Sequence, residues 1–190
     1  MLKKILLSVL FLIPSTVFSL ENSTYGKPLW KTFIEKIENC DQGKVLFRQE
    51  NQFAGSVDYY TAQMEKKDGL YRVIYFTQPP FVVVYKNGLV TVGYEGEEKQ
   101  TFELSQYPNP IVKILFNLPR LEDYFEILPR SEYTFLLKPK TEDLKEVLTE
   151  VIVYFDPKTG LLKRIFLSAG EDNTVNIVFQ KWDLEKCKNR

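Results

Sequence analysis

The sequence predicts a single mainly-β domain, an all-antiparallel barrel or sandwich of about ten or eleven strands with two short helices. Three observations carry that reading. Beyond Gly43 the chain breaks into short alternating or continuously apolar runs rich in Val, Ile, Phe, Tyr and Thr. Turn chemistry punctuates these runs at Asp68-Gly69, Pro79-Pro80, Asn87-Gly88, Glu95-Gly96 and Asp156-Pro157-Lys158-Thr159-Gly160. Helical spacing of apolar residues occurs in only two stretches of the chain after its first segment.

The elements follow in order. Met1 to Lys4 is a short basic region, Ile5 to Ile13 is apolar, and Val17-Phe18-Ser19 offers small residues where a signal peptidase reads. Residues 1–19 are therefore expected to be a cleavable signal peptide, leaving 20–190 as one domain; the apolar run is too short to span a bilayer. Lys27 to Asn39 forms the first helix, with Trp30, Phe33, Ile34 and Ile37 on one stripe and Pro28 in the first turn.

Strands are expected over Val45–Asn51, Val57–Met64, Leu70–Thr77, Phe81–Tyr85, Leu89–Tyr94 and Lys99–Leu104. In the first of these, Val45, Phe47 and Gln49 alternate onto one face and Leu46, Arg48 and Glu50 onto the other. A second helix lies between Pro108 and Pro119, where Ile111, Ile114, Leu115 and Leu118 repeat at helical spacing. Strands resume over Tyr124–Leu128, Tyr133–Lys138, Leu148–Phe155, Leu161–Ser168 and Val175–Trp182.

Composition excludes several functions. The 190 residues carry 25 basic and 25 acidic side chains, so no electrostatic footprint for nucleic acid exists. The chain has no histidine and only two cysteines, Cys40 and Cys187. A Ser-His-Asp or Cys-His nucleophile cannot be assembled, and neither a histidine nor a multi-cysteine metal site is available. No carboxylate pair stands out as a catalytic dyad. The expectation is a binding protein without catalytic residues, metal or cofactor. Aromatic residues make up 14% of the sequence and sit on nearly every strand. They suit strands for their own sake, and around a void they would also form a site for an apolar ligand.

The order of segments resembles the periplasmic outer-membrane lipoprotein carrier proteins, the LolA family. The resemblance runs through Phe47-Arg48-Gln49 after the first helix, Lys66-Lys67-Asp68-Gly69-Leu70-Tyr71-Arg72 at a hairpin, and Tyr75-Phe76-Thr77-Gln78-Pro79. It continues through Asn87-Gly88 to Val92-Gly93-Tyr94, then Tyr133 to Lys140, and the closing hairpins from Val151 to Phe179. It implies an incomplete, half-open antiparallel β-barrel of about eleven strands, with short helices covering its mouth and an apolar cavity for acyl chains.

The function this implies is a monomeric periplasmic carrier. Such a protein takes acylated lipoproteins from an inner-membrane lipoprotein-releasing ABC transporter and passes them to an outer-membrane acceptor. A generic lipid or glycolipid shuttle, or an envelope sensor domain, is the alternative within the same fold. The family's basic latch, usually arginine, falls on Lys67, which offers a point charge in place of a planar fork.

Taking alternation and resemblance together, the expected cavity lining is Phe47, Tyr71, Val73, Val92, Tyr94, Phe135, Val151, Val153, Ile165 and Phe179. Ile111, Leu115 and Lys67 are expected to serve the lid. A solid core would use the same apolar residues. Cys40 and Cys187, one after the first helix and one after the last strand, are expected to pair in an oxidising compartment. Two buried free thiols are the alternative.

Overall fold

In the computed structural model the described residues are 26–107, 109–116, 120–170 and 172–187. The expected signal peptide, with Pro108, Leu118 and Pro119 around the second helix, lies outside them. The described residues fold into one sheet of eleven antiparallel strands with four short helical segments. Helix α1 spans Gly26–Glu38. The strands are β1 (Cys40–Phe53), β2 (Ser56–Lys67), β3 (Leu70–Tyr75), β4 (Phe81–Lys86), β5 (Leu89–Tyr94) and β6 (Gln100–Glu103). Then come α2 (Pro110–Phe116), α3 (Leu121–Tyr124), β7 (Phe125–Ser131), β8 (Thr134–Pro139), α4 (Glu142–Val147), β9 (Glu150–Phe155), β10 (Leu162–Ser168) and β11 (Thr174–Cys187).

The spatial order is β6-β5-β4-β3-β2-β1-β11-β10-β9-β8-β7. Only the β1–β11 pairing joins distant parts of the chain; every other neighbour is next in sequence. β6 and β7 are the two edges and do not pair with each other, so the barrel is incomplete. Tight hairpins make the meander possible. Asp68-Gly69 and Asn87-Gly88 both have positive φ at each residue (49° and 76°, 51° and 84°), the geometry that matches strand twist in a two-residue turn. No helix among the described residues is long and apolar enough to cross a membrane.

One face of the sheet is mainly apolar. Val45, Phe47 and Gln49 of β1 point to it, as the alternation predicts, with Ala62 and Met64, Val73, Val83, Val90, Phe135, Leu137, Val151, Val153, Ile165 and Ile177 from the other strands. The register shifts at three places, one of them at Arg130 between Pro129↔Phe135 and Ser131↔Thr134. Gln180 is the extra residue between Phe47↔Phe179 and Leu46↔Lys181, and Lys163 is the extra residue between Leu162↔Phe155 and Arg164↔Tyr154. The bulge at Gln180 brings Trp182 onto the same face as Phe179, where the two rings stack at 5.5 Å. The bulge at Lys163 leaves the Leu162 carbonyl to accept the Trp182 Nε1 proton at 2.7 Å.

The helices close over this face. The α1 stripe buries Trp30, Phe33 and Ile37, with Trp30 and Phe33 packed edge-on against Phe155 at 5.7 and 5.1 Å. Helix α2 is buried on several sides, through Ile111, Val112, Ile114, Leu115 and Phe116. Its Phe116 ring stacks on Tyr85 at 5.3 Å. The two helices expected from periodicity are present, and α3 and α4 are additional. Each additional segment is under seven residues and is fixed by one buried leucine, Leu121 or Leu144. Local periodicity carries no signal at that length.

Candidate functional site: a two-lobed cavity under helix α2

Helix α2 does not fill the concavity at the end of the sheet where the β1–β2 and β3–β4 turns lie. Beside its first turn is a half-open cavity of about 510 Å³, walled by Ile111, Leu148, Leu167 and Val175, with Phe53 and Val147 at its rim. On the other side is a lobe of about 250 Å³, walled by Phe81, Val83, Tyr94 and Val112. Gln49, Asn51 and Asn109 line both, so the two lobes meet beneath the start of α2. Successive helical residues, Ile111 and Val112, face the two sides; the helix is a wedge between them.

The floor where the lobes meet is polar but uncharged. Gln49 points inward from β1 with only 6% of its surface exposed. Its Oε1 accepts the Tyr75 hydroxyl at 3.0 Å, and its Nε2 donates to Asn51 Oδ1 at 2.9 Å. Asn109 Oδ1 accepts the Ile111 backbone N–H at 2.9 Å, which fixes the first turn of α2. Tyr60, Tyr107 and Thr77 complete the polar part of the smaller lobe. Burial, and then the neighbouring Tyr107 and Tyr60, hold the Tyr75 phenol above its usual range, so it remains a neutral donor. No charged side chain lines either lobe among the described residues.

At the opposite end of the sheet, α1 is tied down. Lys66 Nζ donates to the Ile37 carbonyl at 2.7 Å and the Cys40 carbonyl at 2.9 Å, at the C-terminal end of α1. A cation there meets the negative end of the helix dipole, and it also lies 5.9 Å from the Tyr71 ring centroid. Burial lowers the Lys66 pKa, against the opposing pull of Asp41 and Glu38. At this same end, Cys40 and Cys187 sit opposite each other in register on β1 and β11 and form a disulfide, S–S 2.02 Å.

This architecture is shared with a solved protein. A LolA superfamily protein from Nitrosomonas europaea matches with a TM-score of 0.52 and 10% identity, over 86% of this chain and 94% of that one. The fold is LolA-like. A putative outer membrane lipoprotein-sorting protein domain from Vibrio parahaemolyticus aligns with a TM-score of 0.46 and 8% identity, over 82% of this chain and 93% of that one. The Mycobacterium tuberculosis lipoprotein LppX aligns at 0.43 and 11%, over 82% of this chain and 95% of that one. No family model matches the sequence, and no characterised protein matches it by sequence.

Within the LolA-like frame, the sequence-predicted residues divide into groups. Phe47, Val73, Phe135, Val151, Val153, Ile165 and Phe179 all lie on the concave face but are packed into solid core beneath the helices, each 2% exposed or less. They support the cavity and do not line either lobe. Val92 is half-buried against that core. Tyr71 packs toward Phe116, 6.1 Å away, at the Lys66 end. Tyr94, 42% exposed, is the member of the set that walls a lobe. Of the two lid leucine-type positions, Ile111 lines the larger lobe, and Leu115 is buried one turn deeper.

Lys67 requires a correction. It is exposed at the end of β2, and the tie to α1 belongs to Lys66. Strand parity decides between the two: Ala62, Met64 and Lys66 share the inward face, and Lys66 pairs with inward Tyr71. Gln49, Asn51, Tyr60, Tyr75, Tyr107 and Asn109 were not singled out by the sequence as site residues. For Gln49 a signal existed, because a polar residue alternates there onto the Val45 and Phe47 face. Tyr60 and Tyr75 are gathered by cross-strand register, and Tyr107 and Asn109 by the segment between β6 and α2.

Proposed function

We propose that this protein is an exported lipid carrier that shelters the acyl chains of lipoproteins between the concave sheet and helix α2. The observation that carries the reading is the two-lobed cavity, walled by aliphatic and aromatic side chains over an uncharged polar floor, with its mouth half open. The larger lobe falls within the roughly 300–1,000 Å³ of small-ligand sites. Each methylene moved from water into such walls contributes about 0.8 kcal/mol. Acyl chains that must cross an aqueous space therefore require a host of this kind. A cavity beside a short helix, not a sealed void, also permits release.

The likeness to a LolA superfamily protein supports the same reading at the level of fold. In the full proposal residues 1–19 direct export to the periplasm and are removed. An inner-membrane lipoprotein-releasing ABC transporter loads the cavity, and an outer-membrane acceptor empties it. The carrier acts as a monomer and performs no chemistry. The test is to purify the protein from the cell envelope and analyse the co-purifying lipid and lipopeptide by mass spectrometry. Stoichiometric acylated species are expected. A protein free of acyl chains that also takes up none from loaded donor membranes would overturn the reading.

A further inference from the structure

From the uncharged amide floor shared by the two lobes, we infer that the cavity selects amphiphiles whose acyl chains are joined through neutral ester or amide groups, and rejects anionic lipids. This rests on the proposed acyl-binding role and adds the chemistry of the linking group. The neutral polar character of the floor sets the preference. Tyr75 donates to Gln49 Oε1, and Gln49 Nε2 donates to Asn51 Oδ1. Asn109 Oδ1 is engaged by the Ile111 N–H. Each of these amide oxygens keeps a second lone pair and each amide keeps N–H donors, so a ligand at the junction meets neutral donors and acceptors and no formal charge. Amide donors match carbonyl and hydroxyl acceptors.

An anion is disfavoured by what surrounds the floor. Neither lobe has a lysine or arginine in its lining. A phosphate or carboxylate placed beside buried Gln49 would lose its hydration without a compensating charge. Diacylglycerol and the diacylglyceryl group of a lipoprotein share the neutral linking chemistry, and only a comparison of the two separates them.

The experiment uses the full mature chain and four probes with identical pyrene-labelled acyl chains: a diacylglycerol, a diacylglyceryl lipopeptide, a phosphatidic acid and a free fatty acid. The two neutral-linked probes are expected to bind at least tenfold more tightly than phosphatidic acid. A further gain for the lipopeptide over the diacylglycerol would identify the lipoprotein as the source, and equal affinities would identify the free lipid. Asn51→Leu should erase most of the preference while leaving the folded near-UV circular dichroism spectrum intact. Asn51→Lys should reverse it, raising phosphatidic acid binding in a salt-sensitive manner. Equal or tighter binding of phosphatidic acid to the wild-type chain overturns the inference and leaves the acyl cavity standing. Failure of all four probes to bind overturns the cavity reading itself.

Discussion

Replacing Lys66 with methionine isolates the tie between α1 and the sheet, because methionine keeps most of the stem and removes the ammonium. Two carbonyls, of Ile37 and Cys40, lose a charged donor at 2.7 and 2.9 Å. Hydrogen bonds to charged groups contribute about 1.5–3 kcal/mol each when well buried. Lys66 is only half-buried, so water replaces part of the loss, and ordering its side chain already costs up to about 2 kcal/mol. The expected net destabilisation is therefore about 2 kcal/mol, which for a domain of this size lowers Tm by about 4–8 °C.

Lys67→Met is the internal control. Its side chain is exposed, and such surface changes stay within about 0.5 kcal/mol. Equilibrium urea unfolding of both variants with the disulfide intact measures the difference. Hydrogen exchange in the last turn of α1 should rise for Lys66→Met alone. If Lys67→Met were the more damaging change, the inward parity assigned to Lys66 would be wrong.

Two more predictions follow from particular contacts. The Cys40–Cys187 disulfide spans 147 residues, and removing it by a Cys40→Ala, Cys187→Ala double substitution should cost about 2–5 kcal/mol; non-reduced protein should contain no alkylatable thiol, and finding two would refute the pairing. Ile111→Trp should fill the larger lobe and weaken lipopeptide uptake with little loss of stability, whereas Phe135→Ala, in solid core, should cost about 3–5 kcal/mol. Equal effects of both changes on uptake and stability would mean that the lobe is simply part of the core.

Much of the fold was legible because one period governs it. The alternation of Val45, Phe47 and Gln49, and the Asp-Gly and Asn-Gly turns, locate strands and their inward faces without tertiary information. Parity fails where the backbone adds a residue. Counting from Phe179 puts Trp182 on the outside, and only the bulge at Gln180 returns it to the core. The choice of Lys67 over Lys66 has another origin: a motif aligned by its turn does not fix which lysine faces in, although β2 pairs without a register shift. The apolar residues chosen for the cavity are on the correct face, yet most are core, because face and void are different properties. The void depends on where α2 stops filling the concavity. The polar floor depends on Gln49, Tyr60 and Tyr75 meeting across β1, β2 and β3, a register that a linear sequence does not display.

The account's central claim is that acyl chains occupy the space between the concave sheet and α2. A diacylglyceryl lipopeptide carrying a photoreactive diazirine midway along one chain tests this directly, with adducts mapped by peptide mass spectrometry. Adducts are predicted on Ile111, Leu148, Leu167 and Val175 of the larger lobe and on Phe81, Val83 and Val112 of the smaller, with Ile111→Trp depleting the first group. Labelling confined to the exposed Phe76 and Tyr59, or spread evenly over the convex face, would place the lipid outside the cavity and contradict the account.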